Sequence, residues 1–159
     1  MLFEQYAGTL MTVCLRYAQD QMEAEDILQE SFIRIFKYIY QFKSEGSFEG
    51  WLRRIVVNTA LKKLEKKKIH FSEITEYTSS TSGEEPGAYS NIGEEDILKL
   101  IKDLPEGYRL VFNLNVIEGF SHEEIAKILH IQAATSRSQL AKARKMLQNQ
   151  IIQMQKIAV

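Results

Sequence analysis

GFSHEEIAKILHIQAATSRSQLAKARKML, residues Gly119 to Leu147, decides how this chain is read. Ile125, Ile128 and Leu129, then Leu140, Ala143 and Leu147, recur at helical spacing, which predicts two short amphipathic helices. Ser121 can cap the first, and Glu124, three residues on, can reach back in a capping box. Gly119 suits the sharp end of a preceding helix. His130 to Ala134 is expected to hold the turn. The second helix carries Arg137, Lys142, Arg144 and Lys145 and no acid. A capped helix, a tight turn and a basic second helix make a helix-turn-helix. The first helix braces, and the second can lie in a major groove with its early residues at base edges. The competing reading is an αα-hairpin whose basic face is only solvated.

The totals narrow the class. The chain has 159 residues, 45% of them hydrophobic, enough for one or two domains with a real core. Two prolines, eight glycines and little alternation predict an all-α protein. The net charge of −1 argues by itself against nucleic-acid binding, but it hides a division along the chain. The single cysteine, Cys14, excludes an internal disulfide and fits a reducing compartment. It falls on an apolar helix face and reads as a small buried hydrophobe. No run approaches the ~18 apolar residues of a membrane span, and the N-terminus shows no basic-then-apolar leader. The expectation is a soluble, cytoplasmic protein without membrane insertion.

Leu2 to about Gln19 reads as an amphipathic helix with Leu2, Tyr6, Leu10, Val13 and Tyr17 on one stripe. Asp20 and Glu23 form a second capping pair. A long helix follows to about Gln41, with Ile27 or Leu28, Phe32, Ile35 and Ile39 facing inward. Its other face shows Asp26, Gln29, Glu30, Ile33, Arg34 and Lys37. Phe42 to Ser47 is a loop by composition. Phe48 to Lys68 carries seven Lys or Arg against two Glu. Trp51, Ile55, Val56, Ala60 and Leu64 can face a core. Cations beside Phe42, Phe48 and Trp51 suit single-stranded nucleic acid, because phosphates take the charge and unstacked bases take the rings. A core tryptophan under a snorkelling lysine face explains the same residues.

Residues 69–96 hold seven acids and no Lys or Arg, and read as a flexible acidic linker between domains at 1–68 and 97–159. Its charge offsets the two basic segments. Ile97 to Lys102 starts a new helix. Pro105 suits the first position of another that runs to about Glu118, with Leu110, Val111, Leu114 and Ile117 apolar. Gln148 to Val159 extends the last helix and then frays. His70, His122 and His130 have no ligand spacing and read as surface or turn residues, so no metal and no cofactor is expected. There is no phosphate loop or nucleophile elbow, and the acids fall on polar helix faces. No catalysis is expected.

These residues resemble a family. Asp26-Ile27-Leu28-Gln29-Glu30-Ser31-Phe32-Ile33, then Phe42 and Gly46-Ser47-Phe48, then Trp51-Leu52-Arg53-Arg54-Ile55 and Asn58-Thr59-Ala60, resemble the second conserved region of bacterial sigma factors. Leu104-Pro105-Glu106-Gly107-Tyr108-Arg109, Phe112, Glu118-Gly119-Phe120-Ser121 and Glu124-Ile125-Ala126, with the helix-turn-helix, resemble the fourth. Two such domains and an acidic linker look like the extracytoplasmic-function type. The resemblance implies a dissociable subunit that brings RNA polymerase core to promoter DNA, opens the duplex and catalyses nothing. It implies that Asp26, Gln29, Glu30 and Ile33 dock on the clamp of the large polymerase subunit. Phe42 to Ser47, Trp51 and Asn58 would receive a flipped base of the minus-ten element, and Arg53, Arg54, Lys62 and Lys63 would hold its phosphates. Arg137, Ser138, Gln139 and Lys142 would read the minus-thirty-five element, with Arg144 and Lys145 nearer phosphates. The apolar face of the second domain's first helices would meet the polymerase flap. An anti-sigma factor is a further implied partner.

The sequence departs from the pattern in three places. It opens about one helical segment later, so the first helix is expected to pack less fully. Ala134 stands where glycine is frequent, which bears on the turn. Gln139 stands where a basic residue is common, and glutamine suits adenine rather than phosphate. Two other readings fit parts of the chain: a helix-turn-helix regulator that does not bind polymerase, and a helical protein-interaction module.

Overall fold

The computed structural model describes the backbone of residues 2–72 and 93–157, and the side chains of 3–66 and 93–156. Every regular element among them is helical: α1 Leu2–Tyr17, α2 Gln21–Tyr38, α3 Phe48–Ser72, α4 Glu94–Lys102, α5 Glu106–Phe112, α6 His122–Leu129 and α7 Ala133–Ile157. They form two compact units, α1 to α3 and α4 to α7.

In the first unit all three helices pack on one another. Asp20 caps α2, its Oδ1 accepting the Glu23 N–H at 2.8 Å, and Glu23 Oε2 accepts the Gln19 N–H at 2.7 Å. Ser47 Oγ accepts from Gly50 N–H at the start of α3. The core joins Leu10, Val13, Cys14 and Tyr17 of α1 to Ala24, Ile27, Leu28, Phe32 and Ile35 of α2. Leu52, Val56, Val57, Ala60 and Leu64 complete it from α3. No side chain described before Leu10 is buried, although Phe3 meets Phe32 at 4.7 Å between ring centroids. Burial of Cys14 pushes its thiol up to about 12, so it stays protonated and inert.

Three expectations shift here. Ile39 is 40% exposed, because α2 gives way to a 3₁₀ turn at Ile39–Gln41 and its stripe stops. Trp51 and Ile55 are only half-buried, whereas Leu52, Val57 and Thr59 are fully buried. α3 is covered by two helices, so its buried face is wider than one stripe. Thr59 and Ser31 enter this core because each hydroxyl donates back to a carbonyl four residues earlier, at 2.7 and 2.6 Å.

The segment read as linker is partly helical. α3 runs through Ser72, and α4 begins at Glu94, with Asp96 Oδ2 accepting the Gly93 N–H at 3.1 Å. Glu94, Glu95 and Asp96 form the first turn of α4, where the helix dipole favours negative charge. Residues 73–92 of that segment lie outside the described residues.

The second unit is built on α7, which contacts α4, α5 and α6. Ile101 and Leu104 meet Ala143 and Leu147, bordered by Leu100, Tyr108, Phe112 and Met146. Pro105 sits just before α5 rather than inside it. The predicted helix to Glu118 changes character at Asn113–Ile117, a single π turn, and Gly119 then turns the chain with φ +79°. The Asn115 amide donates to the Phe120 carbonyl at 2.9 Å and ties down that corner. Ser121 caps α6, its Oγ accepting from Glu124 N–H at 3.1 Å.

The turn after α6 begins at His130 as expected but is shorter, because α7 already starts at Ala133. His130 adopts the left-handed conformation (φ 57°), and the Ile131 N–H closes back on the Ala126 carbonyl at 3.1 Å. Ala134 already belongs to α7. The residue whose backbone favours glycine is therefore His130, and Ala134 costs the turn nothing.

Candidate nucleic-acid and protein-binding surfaces

On α3, Arg54, Asn58 and Lys62 are exposed at helical spacing, so they share one face. Trp51 begins that face one turn earlier and belongs to an aromatic cluster. Its ring lies 5.6 Å from Phe42 and 5.8 Å from Phe48, Phe42 and Phe48 are 5.1 Å apart, and Tyr6 reaches Phe48 at 5.8 Å. Phe42, Phe48 and Trp51 are half-buried, so the cluster supports the loop and still presents ring surface. The exposed loop turns on Ser44 (φ 56°) and Gly46 (φ 78°). Arg53 and Lys63 do not share the open face. Both are half-buried, Arg53 toward Glu49 at 3.9 Å and Lys63 toward Glu30 at 3.4 Å.

On α2, Asp26, Gln29 and Ile33 stand outward, with Ile33 69% exposed. Glu30 is half-buried and bridges two cations, Lys63 and, at 3.1 Å, Arg34. The sequence reading missed the extent of this face. Met22 and Phe36 are also exposed and continue it in both directions, and Tyr40 is exposed in the 3₁₀ turn beyond. Their spacing of four, three and four through Asp26, Gln29 and Ile33 was the available signal. A row of large apolar side chains in water marks a contact surface in a way a lone one does not.

In the second unit α6 is pinned across α7. His122 Nδ1 lies 2.8 Å from Ser136 Oγ, and one residue further along both helices Glu123 meets Arg137 at 3.6 Å. His122 is thus a strut between helices, which its isolated position in the sequence did not reveal. Arg137, Ser138, Lys142, Arg144 and Lys145 are exposed on α7. Gln139 is half-buried and turned toward α5, where a methyl group at Gly107 would meet its amide at 3.5 Å. Thr135, on the stripe of Ser138 and Lys142, is exposed instead.

Two families of sequence patterns match these units in order. Sigma-70 region 2 matches residues 2–69, and Sigma-70 region 4 matches residues 94–147. A sigma-E factor of RNA polymerase from Haemophilus influenzae is 30% identical over 95% of this chain and 86% of its own length. The chain belongs to the extracytoplasmic-function sigma factors of RNA polymerase.

This sigma factor is also 31% identical to SigE of Mycolicibacterium smegmatis over 93% of its length, and spans 59% of that relative. Sigma-H of Pseudomonas aeruginosa is 27% identical over 91% of the chain and 81% of its own length. The fold matches RpoE of Bartonella quintana, solved with the anti-sigma factor NepR, at a TM-score of 0.61 and 20% identity over 92% of each chain. It matches CnrH, solved with the cytosolic domain of CnrY, at 0.51 and 17% over 94% of this chain and 84% of that one. Among the described residues no group of three or more His, Cys, Asp or Glu is placed to hold a metal. No described helix is long and apolar enough to cross a membrane.

Proposed function

We propose that the two units of this sigma factor divide promoter recognition between single-stranded and duplex DNA, while a separate face of α2 holds RNA polymerase core. The observation that carries this is the separation of faces in the first unit. Arg54, Asn58 and Lys62 line one side of α3 below the aromatic cluster, and the face from Met22 to Phe36 belongs to α2, with Tyr40 in the 3₁₀ turn that follows. The α2 face, with Asp26, Gln29 and Ile33 at its centre, docks on the polymerase. Phe42 to Ser47, Trp51 and Asn58 receive a base flipped from the minus-ten element. Arg54 and Lys62 hold its phosphates directly, and Arg53 and Lys63 do so from the edges, where each is also held by an acid.

The second unit reads the minus-thirty-five duplex. Arg137 and Ser138 stand near the start of α7, where side chains reach base edges, and Lys142, Arg144 and Lys145 lie further along, nearer phosphates. Gln139, facing Gly107, supports the helix rather than the groove. The unit of α1 to α3 and the unit of α4 to α7 carry these roles, and the acidic segment lies between them in the chain. The protein acts in the cytoplasm as a non-catalytic subunit. An anti-sigma protein is a further partner, as one is for the Bartonella relative.

The test is retention of purified core polymerase by the chain, followed by permanganate footprinting of promoter DNA. A chain that retains core and opens DNA fits the proposal. A chain that binds duplex DNA tightly but retains no core is a regulator of another kind.

A further inference from the structure

The contacts between α6 and α7 form two consecutive rungs. The lower one is His122 Nδ1 to Ser136 Oγ, with Ser136 fully buried. The upper one, one residue on, is Glu123 to Arg137 at 3.6 Å, with the two side chains 71% and 56% exposed. An exposed ion pair adds little to stability. Its effect lies in geometry. Arginine is long and flexible, and guanine recognition needs its guanidinium presented edge-on to two acceptors at once. The buried rung fixes where the backbone of Glu123 sits relative to Arg137. The carboxylate can then hold one edge of the guanidinium and leave the other for a base.

We infer that Glu123 of the bracing helix is a positioning residue for Arg137, and so sets base specificity without touching DNA. The inference rests on α7 as the duplex-reading helix. Glu123 also brings a negative charge to the edge of a DNA-facing surface. It therefore weakens binding to all duplexes while sharpening the choice at one base pair. Those effects have opposite signs, and a carboxylate that merely stabilised the fold would not produce both.

The experiment uses holoenzyme reconstituted from core polymerase and the full chain. Promoter duplexes randomised through the upstream element give the preference at each base pair for wild type, Arg137→Ala, Glu123→Gln and the double variant. Arg137→Ala is expected to flatten the preference at one base pair. Glu123→Gln is expected to reduce preference at that same pair by about two- to fivefold, the range available to an exposed pair. Other positions should stay as they are, and affinity for a scrambled duplex should rise. The double variant should match Arg137→Ala alone. If Glu123→Gln leaves the Arg137 pair unchanged, or weakens every sequence alike, the positioning role is wrong while the reading helix stands. If Arg137→Ala flattens no base pair, the reading helix itself is misassigned and the positioning role falls with it.

Discussion

Lys63 Nζ lies 3.4 Å from Glu30 Oε2, so a lysine on α3, the helix proposed to meet DNA, and a glutamate on α2, the helix proposed to meet polymerase, hold each other. Arg34 shares the same carboxylate at 3.1 Å. Lys62, the next residue on α3, is exposed on the open face. Adjacent lysines thus differ in what they are free to do. Lys62→Ala should lower the salt dependence of promoter binding by about 0.7–0.9 in the log–log slope, the value of one phosphate contact. Lys63→Ala should change that slope less. Holoenzyme binding measured across a salt series separates them, and equal slopes would refute the distinction.

Gln29→Arg with Ile33→Asp should abolish retention of core polymerase. Both residues are exposed, so the fold should lose no more than about 1 kcal/mol, about 0.5 for each substitution. Glu30 is left alone because its loss would also release Lys63. Thermal denaturation and core pull-down, run together, check the prediction, and normal retention by the folded double variant would remove α2 as the docking face.

Asn58→Ala should spare the closed promoter complex and reduce the open one. Asn58 is exposed on the face of Arg54 and Lys62, one turn beyond Arg54. Trp51→Ala is a poorer probe, since it also breaks ring contacts to Phe42 and Phe48. Losing a stacked base would cost about 1–3 kcal/mol, and the lost ring packing would be mixed with it. Unchanged thymine reactivity to permanganate in Asn58→Ala would count against the assignment.

Arg137→Ala should cost about 1–3 kcal/mol on the preferred upstream element and relax choice at one position. Lys145→Ala should weaken all sequences alike. Gln139→Ala should change no base preference, because its amide rests against Gly107. Competition binding with single-base variants measures all three, and a base-specific loss in Gln139→Ala would show that the side chain leaves Gly107 on binding DNA.

His130→Gly should hold or raise stability by up to about 1 kcal/mol, as glycine adopts φ 57° freely. Ala134→Gly should lower it by up to about 1 kcal/mol, since that residue is helical. Melting temperatures decide the matter. The reverse order would put the left-handed turn at Ala134.

The helices and their caps at Asp20 and Ser121 were legible because capping and periodicity are local. So was the inward face of α2 as far as Ile35. Partner choice among charged side chains was not. Lys63 and Glu30 are far apart in sequence and meet only because α3 packs on α2. Gln139 looked like a base reader from its place early in a basic helix, and only the packing of α5 on α7 shows that its amide lies beside Gly107. The Met22 to Phe36 face was written in the spacing but masked by charged neighbours. The acids at Glu94 to Asp96 read as linker because composition cannot separate a flexible acidic run from an acidic first helical turn.

The π turn at Asn113–Ile117 accommodates one residue more than an α-helical turn would. Removing a residue there would restore plain α geometry and swing everything downstream by about 100°, the angle per residue of an α-helix. Phe120 would leave its place near Leu114, whose carbonyl now accepts its N–H at 2.9 Å, and the bracing helix would be re-aimed. Chain length between Pro105 and Gly119 is therefore a gauge for the angle of the whole helix-turn-helix. Single-residue deletions in this short span should disturb DNA recognition more than most substitutions in the same five positions.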